Sequence, residues 1–142
     1  TTEIYTLSLH DALPIYHPEY AQLIWPEYAP YATEPSSFPT QFSAHNIHLQ
    51  WTDATGAVLP TGYLLLWNTS GFNEISLPSD GTPVPDGPGA LNIPYGTQSA
   101  WVKNLIPSTT YYFKLISYTG NGVDINYKLD GSIPQSSIQT SD

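Results

Sequence analysis

Apolar and polar residues alternate with a period of two along several short stretches of the chain. Ile47, Leu49 and Trp51 alternate with His48 and Gln50. That period gives a strand one buried face and one wetter face. Ala100 and Val102 alternate with Trp101 and Lys103 in the same way. The longest patterned run is Thr110 to Tyr118, where Tyr111, Phe113, Leu115 and Ser117 oppose Tyr112, Lys114, Ile116 and Tyr118. Lys114 marks the wet side, so Tyr111, Phe113 and Leu115 are expected inward. Ser136 to Thr140 makes a last strand anchored by Ile138.

Tyr63 to Trp67 is apolar at every position. One reading is a strand buried on both sides. The preferred one sends Tyr63, Leu65 and Trp67 inward and leaves Leu64 and Leu66 on a partly covered outer face, as sandwich sheets commonly do. Weaker segments complete the pattern. Gln41 to Asn46 is a plausible first strand, Ile75 and Leu77 a short alternating one, and Ala90 to Ile93 an edge strand stopped by Pro94. Between them lie a Pro/Gly-rich loop from Pro78 to Gly89 and a long loop from Gly120 to Gly131. No helical period appears, and 14 prolines with 10 glycines punctuate the chain. The expectation is an all-β, seven-stranded immunoglobulin-like sandwich.

Two N-terminal stretches stand apart. Tyr5 to Ile15, YTLSLHDALPI, resembles a common sequencing adapter read in frame. Residues 1–15 are therefore expected to be adapter-derived, and His10 and Asp11 to carry no biology. Residues 16–34 read as a linker or the remnant of an upstream region. Trp25, Tyr28 and Tyr31 within it are either a sugar-stacking strip or residues that once packed on other sequence. The domain proper is expected at 35–141.

Composition narrows the chemistry. Three Lys or Arg against 12 acidic residues give a formal charge of −9. Phosphate binding requires clustered cations, so nucleic acid is excluded as a partner. An anionic membrane surface is disfavoured for the same reason, and no apolar run suits membrane insertion. With no Cys, thiolate metal sites, thiol catalysis and disulfides are ruled out. His45 and His48 are three apart on an expected strand and so point to opposite faces, which suits no metal. Asp53, Asp80, Asp86, Asp124 and Asp130 form no calcium-loop motif. Asn68-Thr69-Ser70 is a formal glycosylation sequon. No nucleophile elbow or phosphate loop occurs, and a packed sandwich offers no cleft for a carboxylate pair. No cofactor, no metal site and no enzymatic activity are expected.

Leu105, Pro107, Thr109, Tyr111, Phe113 and Leu115 together resemble the fibronectin type III signature leading into its sixth strand. In that family the tyrosine hydroxyl bonds back to the backbone just before the strand, the tyrosine corner, and Tyr111 is the matching residue. Trp51 and Tyr63 match the family's core tryptophan and the tyrosine opening its third strand. The resemblance implies a structural core of Trp51, Tyr63, Leu105, Tyr111, Phe113 and Leu115. The stretches FPTQFSAHNIHLQW, TGYLLLWN, YGTQSAWVKNLIPSTTYYFKLISYTGNG and INYKLDG look like a variant found in secreted multidomain proteins of Bacteroidetes-like bacteria. That implies a non-catalytic extracellular or cell-surface spacer or interaction module, with neighbouring domains of the same polypeptide as partners. Protein or glycan ligands are the further candidates. Leu64, Leu66, Trp101, Tyr112, Ile116 and Tyr118 form the candidate contact surface. It is either an exposed aromatic patch that docks a domain or stacks on sugar, or a face covered by the long loops.

Overall fold

Tyr111 sits where the longest strand begins, and its hydroxyl accepts the Ile106 backbone N–H at 2.9 Å. This is the corner that the resemblance implied. It closes the turn of residues 103–109, in which Ser108 holds a left-handed φ of 50°. Thr109 Oγ1 donates back to the Pro107 carbonyl at 2.8 Å. The turn delivers the chain from one sheet to the other.

The computed structural model describes residues 45–142 and the two-residue strand β1, Gln22–Leu23. The other strands are β2 Ile47–Thr52, β3 Gly62–Asn68, β4 Ala90–Pro94, β5 Ser99–Val102, β6 Thr110–Thr119, β7 Asn126–Tyr127 and β8 Gln135–Gln139. One sheet has the order β1-β2-β5. The other runs β4-β3-β6, with β7 and β8 both pairing β6. Every pairing is antiparallel. Setting the short β7 aside, three strands, β1-β2-β5, face four, β4-β3-β6-β8. The fold is a fibronectin type III-like sandwich.

The inward faces follow the alternation. Trp51, Tyr63, Leu105, Tyr111, Phe113 and Leu115 lie in one buried cluster with Ile47, Leu49, Ala100 and Val102. Trp51 meets Tyr63 edge to face at 5.8 Å. Tyr63 is wholly buried, yet its hydroxyl is satisfied. It accepts the Ala54 N–H at 2.8 Å and donates to Asp53 at 2.9 Å. Gly62 has no room for a side chain, because a Cβ there would lie 2.8 Å from the Ile93 carbonyl oxygen.

Three expectations need correction. The strand paired with the outer edge of β2 comes from Gln22–Leu23, inside the stretch read as a linker. His45 and Asn46, read as part of a first strand, are outside any strand, and residues 41–44 lie outside the described residues. Ile75 and Leu77 form no strand. A 3₁₀ turn, Phe72–Glu74, precedes them, and β4 takes the edge position instead. Their alternation reflects one residue, Ile75, anchoring a loop, while Leu77 is exposed. The adapter-like residues 1–15 and the aromatics Trp25, Tyr28 and Tyr31 also lie outside the described residues.

Replacing Tyr111 by Phe removes the acceptor of the Ile106 N–H and leaves the ring in place. The substitution is expected to cost about 1–3 kcal/mol in a chemical denaturation curve. A change within about 0.3 kcal/mol would show that the bond carries no stability.

Candidate functional site

The outer face of the β3–β6 pair carries five of the six candidate contact residues, for which the sequence leaves two readings, an exposed patch or a face covered by the long loops. The sequence supplies it with Leu64 and Leu66 from β3 and with Tyr112, Ile116 and Tyr118 from β6. The register sets Leu64 opposite Ile116 and Leu66 opposite Lys114. These side chains therefore form one contiguous apolar stripe.

That stripe is covered. Leu64 and Ile116 are 0 % exposed and Leu66 8 %. They form a second buried cluster with Ile75, Ala90, Ile125 and Tyr127. Val84, Tyr112, Tyr118, Leu129 and Ile133 pack against it, half-buried. Tyr112 meets Phe72 edge to face at 5.1 Å, and Tyr118 meets Tyr127 at 5.8 Å. For Tyr63–Trp67 the preferred reading, with Leu64 and Leu66 on a partly covered outer face, gives way to the alternative of a strand buried on both sides, because four consecutive side chains, Tyr63 to Leu66, are buried. Of the two readings of the contact surface, the covered face describes Leu64, Leu66 and Ile116, and the exposed patch does not. The segments 72–89 and 120–133, which contain the two long loops and β7, form the cover.

Polar groups hold the cover in place. Asp80 accepts the Tyr127 N–H at 2.8 Å, and Gly81 donates its N–H to the Ile125 carbonyl at 2.9 Å. Tyr127 donates its hydroxyl proton to the Thr82 carbonyl at 3.3 Å. Asp86 accepts both the backbone and side-chain N–H of Asn92, at 2.7 and 2.8 Å. Asn92 in turn donates to the Val84 carbonyl at 2.8 Å. Buried backbone in a loop must find such partners. Loop aspartates considered as cation ligands thus have structural work: Asp53 on Tyr63, Asp80 on Tyr127, Asp86 on Asn92, and Asp130 paired with Lys128 at 2.9 Å. Among the described residues no three His, Asp or Glu side chains gather as a metal site.

One signal for the cover stood in the sequence. Ile125, Tyr127 and Leu129 alternate with Asn126 and Lys128 inside the stretch read as a loop. The segment pairs with the end of β6 through Tyr118–Tyr127 and Thr119–Asn126.

Trp101 lies elsewhere, on the outer face of the β2–β5 sheet, half-buried and stacked on His48 with ring centroids 4.5 Å apart. It does not join the other five candidates. His45 holds the Leu105 carbonyl through Nδ1 at 2.8 Å, so the two histidines serve different places. Burial pulls the His48 imidazole below its usual value.

Two predictions come from this geometry. Ile116→Ala is expected to cost about 2–5 kcal/mol in urea unfolding, the cost of a core truncation. An exposed position would stay within about 0.5 kcal/mol. Burial also raises the phenol pKa of Tyr63, Tyr118 and Tyr127 above the ordinary 10.0. The folded state then holds those protons more tightly than the unfolded chain does. Stability from this source is complete below about pH 10 and declines as pH rises beyond it. Thermal melts at stepped alkaline pH check this, and a melting temperature that stays level or rises there would contradict it.

No family model and no curated protein matches the chain. Solved structures do. Chicken CNTN1 FN1-FN3 domains match at 16 % identity and TM-score 0.49, covering 70 % of this chain and 28 % of that one. This chain thus spans under a third of that molecule. The FN3 domain of human collagen XX matches at 20 % identity and TM-score 0.43, covering 86 % and 90 %. The third fibronectin III domain of human KIAA0343 protein matches at 13 % and TM-score 0.46, covering 70 % and 74 %. Strand order, register and the Tyr111 corner define the fold independently of these likenesses.

Proposed function

We propose that this domain is a non-catalytic spacer within a larger secreted or cell-surface protein. The observation that carries the reading is axial. β1 runs antiparallel to β2 from the Thr52 end, so the chain enters at the pole of Thr52 and Gly62. β8 runs antiparallel to β6 and reaches Thr110 with Gln139, so the chain leaves at the opposite pole. The length of β6 separates the two, on the order of 30 Å. Neighbouring domains of one polypeptide would then be held apart along the strand direction.

Covered faces support the same reading. The apolar stripe of β3 and β6 is used internally, so it gives no flat platform for sugar rings. The acidic surface gives nucleic acid no foothold. Among the described residues no helix is long and apolar enough to cross a membrane.

Stretching single molecules of the chain through its two ends tests the spacer reading. A load-bearing sandwich yields in one cooperative step, releasing on the order of 300 Å for about 100 residues. Smooth lengthening at low force, with no step, would overturn the proposal.

A further inference from the structure

Asn121–Gly122 is the single Asn-Gly step in the sequence. It lies in the turn after β6, at the pole where the chain enters, and both residues are exposed. The Asn121 side chain makes no capping hydrogen bond. Gly122 carries a left-handed φ of 54°, and nothing lies within 4 Å of where a Cβ would be. Its N–H donates to none of the backbone acceptors of the described residues, although its carbonyl accepts the Ile125 N–H.

We propose that Asn121–Gly122 is a site of spontaneous covalent modification. The Gly122 nitrogen attacks the Asn121 side-chain carbonyl carbon and forms a C–N bond. The carbon–Nδ2 bond breaks, and ammonia departs with the amide proton. Water then opens the five-membered succinimide at one carbonyl or the other, giving aspartate or isoaspartate. No electrons are exchanged. Asn121 starts from an extended backbone, φ −154° and ψ 167°. The backbone carbonyl of Asn121 accepts the Asp124 N–H at 3.0 Å, a bond that rotation of the Asn121 side chain about its Cα–Cβ bond does not disturb.

Chemistry separates this step from its rivals. Asp80–Gly81, Asp86–Gly87 and Asp130–Gly131 present a carboxylate, which is a poor electrophile when ionised. The Gly81 and Gly87 nitrogens are engaged with Ile125 and Ala90 carbonyls, and Asp130 is paired with Lys128. The other asparagines precede larger residues, whose side chains crowd the attacking nitrogen. The product adds a negative charge beside Asp124, at the pole where β1 begins. The isoaspartate form also lengthens the backbone of a tight turn, where the Asp124 carbonyl already stands against Gly120.

The test is incubation of the whole folded chain in mildly alkaline buffer, followed by peptide mass mapping and enzymatic isoaspartate labelling. A peptide of residues 119–124 is incubated alongside. A gain of about 1 Da at Asn121 with isoaspartate label is expected. Its rate should lie within about tenfold of the free peptide, as for a locally open turn. Asn121→Gln should abolish both signals while leaving the circular dichroism spectrum unchanged. Conversion more than about tenfold slower than the peptide, or earlier conversion at another asparagine, would overturn the proposal.

Discussion

The β3–β6 ladder is buried on both faces, and the rest of the domain is arranged around that constraint. A central strand pair of this kind needs apolar side chains above and below. One set must be met by the opposite sheet and the other by something else. Trp51, Ala100 and Val102 cover the inner side. On the outer side the cover comes from loops carrying Ile75, Val84, Ile125 and Ile133 and from Tyr127 of β7. Side chains fasten the loops to the strands: Asp80 accepts the N–H of Tyr127 in β7, Asp86 accepts the N–H of Asn92 in β4, and Asn92 donates to the Val84 carbonyl. The length of the Pro/Gly-rich loop, odd in a minimal sandwich, follows from this task.

The pole from which the chain leaves is tied differently. Tyr111 holds Ile106, and Thr140 donates its hydroxyl proton to the Ile106 carbonyl at 2.6 Å. Leu105 donates its N–H to the His45 carbonyl at 2.8 Å, and Ser108 to the Ser141 carbonyl at 2.9 Å. Both sheets thus meet at one turn. The last strand is thereby fastened to the corner as well as to β6.

Much of the inner core was legible. Period-two alternation around Trp51 and Phe113, together with the LxPxT-type turn before Tyr111, specifies which side chains face inward. Lys114 misled the reading of the outer face. A long aliphatic stem can lie along an apolar stripe while its charge reaches water, so one lysine does not make a face wet. Half-burial of Lys114 beside fully buried Ile116 is that case. The two-residue strand Gln22–Leu23 had no period to betray it, since its pairing is set by the edge of β2. Ile75 and Leu77 alternate, but Phe72–Glu74 turns the chain away from the sheet edge that β4 occupies.

Hydroxyl-radical footprinting read by mass spectrometry tests the central claim most directly, since it reports the solvent exposure of individual side chains. The doubly covered ladder predicts that Leu64, Leu66, Ile116 and Tyr127 are as protected as Phe113, while Val123 and Ile106 are strongly labelled. Labelling of Leu64 and Ile116 at the level of Val123, with Phe113 still protected, would mean that the outer face is open and would contradict the account.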